Sequence, residues 1–409
     1  MKTIINSLIK FAPKIGLSAS LLLTVAGCNF WRNSTSASNI SEFSNSNSLI
    51  STQEVTVTEA FQATTIVEGL QRPWGMTWLP DGTILVTERP GKLRVIRKGV
   101  LVPQPVSGVP EVLASGQGGL LDVAAHPDFV ENNLIYLTYA HGAKRANRTR
   151  VARAKFDGSA LSNLEVIFEV SQAKQGTQHF GSRITWLPDK TMLVAFGDGG
   201  NPPIQLDGDL IRKQAQNLNS YLGKVVRLND DGSVPEDNPF VGYTDVDPAI
   251  WSYGHRNIQG MTVDSANNRL WSTEHGAKGG DELNWVEAGE NYGWPEVSYS
   301  DEYSGGRVTD IFTRPDAIDP KVVWIPSIAP SGLAFYSSDR FKQWQGDLFA
   351  GGLVSRDVRH LDLDETGKVL AETSMPIGAR VRDVRQAPDG KLYILTDDTN
   401  GKLISIEPK

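Results

Sequence analysis

The sequence predicts an all-β fold, a six-bladed β-propeller of four-stranded antiparallel blades. The first observation is that one phrase recurs six times: TWLPDGTILVTER, AAHPDFVENNLIYLTY, TWLPDKTMLVAFGD, TVDSANNRLWSTEH, AFYSSDRFKQWQGDLFAGG and RQAPDGKLYILTDD. Each copy is a short apolar strand, a turn built on Pro, Asp, Asn or Gly, and a second, alternating strand, which is hairpin text. Next, the turn aspartates or their equivalents fall near 81, 128, 189, 264, 339 and 389. Units of that length hold three or four strands plus loops of variable size. Finally, helical periodicity is nearly absent, LIRKQAQNLNS (210–220) being the best short candidate. Six hairpin units with no helices to cover a sheet fit radial blades.

In chain order, residues 1–27 read as a signal peptide. Lys2, Lys10 and Lys14 form a basic start, and the apolar run 15–27 is too short to span a membrane. It ends in VAGC (25–28), small residues before the only cysteine. That pattern resembles a lipobox, in which Cys28 becomes the mature N-terminus and carries lipid. The other reading is an ordinary signal peptide with an incidental cysteine. Asn29 follows, not Asp, which in a Gram-negative host resembles an outer-membrane sorting signal. The expectation is an exported protein, lipid-anchored on the periplasmic side. Residues 28–60 are rich in Ser and Asn and read as a flexible tether. Residues 61–409 carry the six repeats and form the propeller domain. A lone cysteine excludes an internal disulfide, so this domain stabilises itself by burial. Losing the three signal lysines takes the formal charge from −7 to −10, which argues against nucleic acid and against electrostatic docking on anionic lipid.

Inner strands of a propeller converge on its axis, so chemistry belongs in the loops that feed them. In QGTQHFGSRITW (175–186), His179 stands among glycines just ahead of such a strand. Four more loops stand out. ASGQGGLLDVAAHPDF (114–129) holds Gln117 between glycines, and YGHRNIQGM (253–261) carries Arg256 and Asn257. STEHGAKGGDELNWVEAGENYGWP (272–295) bunches glycines with acids. GARVRDVRQAPDG (378–390) places Arg380 and Arg382 on one strand face by their spacing of two. Each alone reads as a tight turn or a solvated edge. Together, at equivalent places in different blades, they make a pocket for a planar polyanion.

The segments GQGGLLDVAAHPDF, HFGSRI, FGDGG, GHRN, DELN…NYGWP and RVRDV stand in an order that resembles the soluble pyrroloquinoline-quinone-dependent glucose and aldose sugar dehydrogenases. The likeness runs from about residue 66 to the C-terminus and is nearer the compact aldose sugar dehydrogenase branch, since the blades lack long insertions. It implies oxidation of an aldose at its anomeric carbon to a lactone, with pyrroloquinoline quinone and Ca²⁺ as cofactors. His179 matches the general base of that family. Asp198, in FGDGG, matches the carboxylate supporting it, the alternative being a plain turn aspartate. Arg256 matches a donor to the quinone oxygen, and Asn257, Arg380 and Arg382 match cofactor contacts. The resemblance further implies Ca²⁺ on the carbonyls of Gly276 and Ala277, and a separate Ca²⁺ on Glu282 and the carbonyl of Tyr292. Gln117 matches a side chain at the sugar subsite.

Two departures qualify the likeness. Gln178 stands where the glucose-specific branch has an acid, which weakens any expectation of glucose preference. AGGLVSRDVRHL (350–361) lacks that branch's cofactor lysine, leaving Arg356 as the candidate to replace its charge. An open cleft tolerant of several aldoses is expected. A Ca²⁺-dependent propeller lactonase would instead put acidic and asparagine side chains on an axial metal, whereas the axial candidates here are Arg, Gln and His. A non-catalytic binding propeller would leave that constellation unexplained. No haem-attachment pattern is present, so electrons are expected to leave to a separate acceptor.

Overall fold

Hydrophobic burial in this chain is distributed in wedges around a ring. Six clusters of buried apolar side chains each lie between two consecutive blades, the sixth joining the last blade to the first. The computed structural model describes residues 48–51, 55–58, 60–200 and 204–409. The expected signal peptide, the lipidated Cys28 and most of the expected tether lie outside the described residues.

The six blades begin on the inner strands Pro73–Trp78, Leu120–Ala125, Ile184–Trp186, Ile258–Asp264, Pro330–Phe335 and Val381–Gln386. Each blade is an antiparallel sheet of four strands, and the fourth strand of the last blade is Phe61–Leu70, from the start of the domain. Pairing first strand to last closes the ring without a free edge between blades. Three of the expected turns share one local cause. Asp81, Asp189 and Asp389 each accept the main-chain N–H two residues on, from Thr83, Thr191 and Lys391, at 2.9, 2.9 and 3.0 Å. That side-chain bond imitates a backbone turn. The helical candidate at 210–220 is a 3₁₀ turn over Ile211–Gln216.

Two features differ from the sequence reading. Second strands such as Ile84–Glu88 and Met192–Phe196 are buried at every position, so they do not alternate. They are sandwiched by neighbouring blades on both faces, which removes the solvent side that alternation requires. Within the stretch read as tether, Leu49–Ser51 and Thr56–Val57 pair in parallel with the outer strands of the fourth and fifth blades.

The axis itself is polar. Arg183, 1 % exposed, faces Asp122 and Asp383 at 3.1 Å each, and Arg385 reaches the same two carboxylates at 3.3 and 3.2 Å. These groups come from the second, third and sixth blades, so the lattice ties inner strands across the ring. Gly75 and Gly332 allow it, because a Cβ at either position would collide with Asp122 or Asp383. The lattice sits beneath the loops that hold the candidate site.

Candidate active site

His179 sits on the loop entering the third blade, with φ of +47°, a left-handed conformation costly for a residue with a side chain. Three contacts hold it there. Its N–H donates to Gln117 Oε1 at 2.7 Å, and its carbonyl packs so closely on Gly197 that a Cβ there would clash. Gly181 N–H donates to Asn257 Oδ1 at 3.2 Å. Backbone strain stored at a buried histidine is a mark of a functional position.

The ring is 2 % exposed, and its Nδ1 lies 2.6 Å from Asp198 Oδ1. Asp198 also accepts from the Trp294 indole at 2.8 Å and from Gly200 N–H at 3.0 Å. With its acceptor capacity engaged this way, the carboxylate fixes the Nδ1–H tautomer and leaves Nε2 as the proton-accepting nitrogen. Burial and the nearby Arg256 push the His179 imidazole below its ordinary value, against the pull of Asp198. Burial pushes the Asp198 carboxyl up, but His179, Arg256 and the Gly200 N–H outweigh it and hold the group low. The pair is a neutral base beside a charged orienter.

Next to it, at the axis, opens a cavity of about 500 Å³. Gln117, Phe180, Gly181, Asn257, Arg380 and Arg382 line it, so residues flanking His179 form its wall, with His275 opposite. Arg72, Trp74, Arg89, Asp397 and Asp398 also line it. Asp397 holds Arg382 at 3.0 Å and Arg380 at 3.4 Å. Burial opposes ionisation of Asp397, yet Arg382 keeps its carboxyl below the usual range. Burial, followed by Arg256, drives His275 down to about 3, so this histidine stays neutral while its Nε2–H donates to the Pro330 carbonyl at 2.7 Å. Four guanidinium groups against two carboxylates leave a positive wall. The Nε atoms of Arg89 and Arg382 are buried without hydrogen-bond partners among the described residues. Surplus cationic donors around an aromatic floor fit a planar polyanionic ligand.

The cation loops are arranged differently. Arg256 lies over the Trp294 ring, 5.2 Å from its centroid, and donates to the carbonyls of His275 and Gly276. The Gly276 oxygen expected to hold a cation is therefore engaged by a guanidinium. Ala277 is buried, its N–H donating to Ser300 Oγ at 2.9 Å, and neither residue lines the large cavity. Arg256, Glu274, Gly276 and Glu282 surround a separate pocket of about 10 Å³. Asn284 donates to both Glu274 (3.0 Å) and Glu282 (3.1 Å). Burial and the charge of Glu274 push the Glu282 carboxyl well above its ordinary range. Glu274, which also accepts from Arg256 N–H at 2.6 Å and lies 3.0 Å from His255 Nδ1, and half-buried Glu282 share one amide, and their hard oxygens suit Ca²⁺. The Tyr292 side chain stacks on His255 and donates to the Trp285 carbonyl at 2.7 Å. Arg356 is exposed and lies off the cavity, so it does not replace the missing lysine there; Arg72 and Arg89 supply the added charge.

Sequence reasoning thus places His179, Asp198, Gln117, Asn257, Arg380 and Arg382 around one site. It missed Arg72, Trp74, Arg89, Asp397 and Asp398. Arg89 and Asp397 sit at the ends of repeat phrases, where position in the blade was the available signal. Trp294 stood in the NYGWP motif, but nothing marked it as the partner of Asp198.

A family model described as glucose/sorbosone dehydrogenase matches residues 70–405. The chain is 56 % identical over 369 residues to an uncharacterised protein of Synechocystis, covering 87 % of this chain and 90 % of that one. It is 38 % identical over 367 residues to the aldose sugar dehydrogenase YliI of Escherichia coli, covering 86 % and 95 %. The apo crystal structure of the soluble E. coli aldose sugar dehydrogenase superimposes with a TM-score of 0.80, covering 85 % of this chain and all of that one at 37 % identity. The PQQ-bound aldose sugar dehydrogenase of Streptomyces coelicolor superimposes with a TM-score of 0.68 at 26 % identity, covering 86 % and 100 %.

Proposed function

The chain belongs to the glucose/sorbosone dehydrogenase family and is an oxidoreductase acting on sugars, and from that premise we propose that it is a quinoprotein that oxidises aldoses at the anomeric carbon to lactones. The observation that carries the reading is a neutral histidine, oriented by a buried carboxylate, on a loop whose next two residues, Phe180 and Gly181, line an arginine-bearing cavity.

When bound, pyrroloquinoline quinone supplies the two-electron acceptor for the hydride leaving the anomeric carbon. Arg380 and Arg382 would pair with its carboxylates, and Asn257 would bond its edge. His179 Nε2 takes the proton of the anomeric hydroxyl. Asp198 keeps the ring aligned and stabilises the imidazolium once the proton has moved. Gln117 fixes the His179 main chain and would meet the sugar. Arg256 offers positive charge beside the site, and Trp294 supports it. Of the two expected cation sites, the one at Glu282 would take Ca²⁺, with Glu274 beside it through the shared Asn284 amide; Tyr292 does not line that pocket. A cation on the Gly276 and Ala277 carbonyls would first displace Arg256, so Arg256 itself supplies the charge here.

A lactonase would need free acidic side chains on the axis. Asp122 and Asp383 are both engaged by Arg183 and Arg385, which favours the dehydrogenase. Purified protein given the quinone and Ca²⁺ is expected to reduce an artificial dye with several aldoses. Chelation before reconstitution should lower the yield of active enzyme. Lactone hydrolysis without dye reduction would overturn the proposal.

The export reading completes it. With lipid on Cys28, residues 28–60 would carry the catalytic domain at the periplasmic side of the membrane. Several acyl chains on one lipoprotein cysteine suffice for lasting attachment. A Cys28→Ser protein is expected to leave the membrane fraction on cell fractionation; an unchanged membrane fraction would refute the anchor.

A further inference from the structure

Lys174 is buried five residues before His179, at 2 % exposure, and the mechanism above makes no use of it. Its main chain is pinned. The Lys174 N–H donates to the Asn147 carbonyl at 2.8 Å and its carbonyl accepts from Asn147 N–H at 2.9 Å. Asn147 also ties the same loop through Gly176, whose carbonyl accepts from Nδ2 at 2.7 Å. The side chain therefore has a set course. Its stem packs on Gly199, where a Cβ would collide with it, and its ammonium stands 4.1 Å from the centre of the Phe180 ring. Gly199 follows Asp198 and Phe180 follows His179. The lysine is thus bracketed by the neighbours of both members of the dyad.

Its ammonium has no hydrogen-bond partner among the described residues, and no carboxylate within ion-pair distance. Lys224 shows what a structural buried lysine looks like in this fold. That residue, equally buried, donates to the carbonyls of Gln214, Ala215 and Leu222 at 2.8, 2.8 and 2.9 Å. A buried amine without such partners costs stability, and such groups concentrate at functional sites.

We propose that Lys174 is a positioning residue for the His179–Asp198 pair, a cation buried behind the dyad whose charge keeps the His179 ring in its neutral, proton-accepting form. The idea rests on His179 being the base. The groups facing the ring are Asp198, which favours its protonation, and Arg256 and Lys174, which oppose it; His275 stays neutral. Lys174 itself faces Asp198, and burial brings its ammonium down to about 7. Below neutrality, where His179 titrates, Lys174 is therefore charged.

The test reads the ring directly. His179 is titrated by ¹⁵N–¹H NMR in unliganded parent, Lys174→Met, Lys174→Gln and Lys174→Arg proteins. Removing the charge should raise the midpoint of the ring, since one of the two cations opposing its protonation is gone. Lys174→Arg should keep the parent midpoint. In quinone-reconstituted enzyme the acid limb of kcat/KM should move to higher pH by the same amount, with the plateau kept. A ring midpoint that is unchanged in a folded Met or Gln protein overturns the proposal, since lost packing alone would leave it in place. If the chain oxidises no aldose, the sugar-oxidation reading fails, while the ring titration still decides the role of Lys174.

Discussion

Replacing His179 with alanine is expected to lower the sugar-dependent rate of the quinone-loaded protein by roughly 10²- to 10⁴-fold, the contribution of a positioned general base. Quinone binding should survive, because Arg380, Arg382 and Asn257 line the cavity independently of the imidazole. Spectroscopic titration with the quinone and steady-state kinetics with an aldose separate the two effects. The pH profile carries a second signature. Burial and Arg256 hold the His179 ring below its ordinary value, and only the neutral ring accepts a proton. The parent's kcat/KM should rise with pH through a midpoint below about 6.5 and be flat at neutrality. In the alanine protein that acid limb should vanish. A variant almost as active as the parent would mean that another group is the base.

The blades were legible because their cause is local. An aspartate that accepts an N–H two residues on writes a turn into five letters, and it does so at Asp81, Asp189, Asp264 and Asp389, four of the six turns. The loops carrying His179, Gln117 and Arg380 were legible for a related reason, since each abuts the start of an inner strand whose text is unmistakable. What stayed hidden depends on ring closure. Arg72 reaches the cavity because its N–H donates to the Asp398 carbonyl at 2.7 Å, a contact between chain ends that no local pattern announces. Asp397 meets Arg382 only once the last hairpin has folded. Leu49–Ser51 looked like tether because three residues among serines and asparagines carry almost no strand signal. They pair because the outer strand Val322–Trp324 offers a free edge. Second strands misled in a different way: packing between two blades buries both faces, so the alternation that marks a half-exposed strand is missing.

The polar axis supplies the other large expected effect. Asp122→Ala should destabilise the protein by about 3 to 5 kcal/mol, the range for removing one partner of a buried ion pair. Asp122 is fully buried, accepts the N–H of Ile184 at 2.8 Å, and neutralises Arg183 together with Arg385. Without it, Arg183 faces Asp383 alone, and one strand-entry N–H in the third blade loses its acceptor. The six hydrophobic clusters between blades do not replace this charge pairing; near the axis the apolar support is Trp74, whose ring lies 4.5 Å from the Arg183 guanidinium. Chemical denaturation of parent and variant measures the loss. Lys190→Ala, which breaks an exposed pair with Asp128 at 2.6 Å, serves as the contrast and should cost less than about 1 kcal/mol. Similar small losses in both proteins would show that the lattice does not hold the ring. A large loss from Asp122→Ala alone would tie stability to the site above it: Arg183, which the lattice clamps, stands just before the inner strand and four residues after His179, so the same charges that close the ring also hold the loop that presents the base.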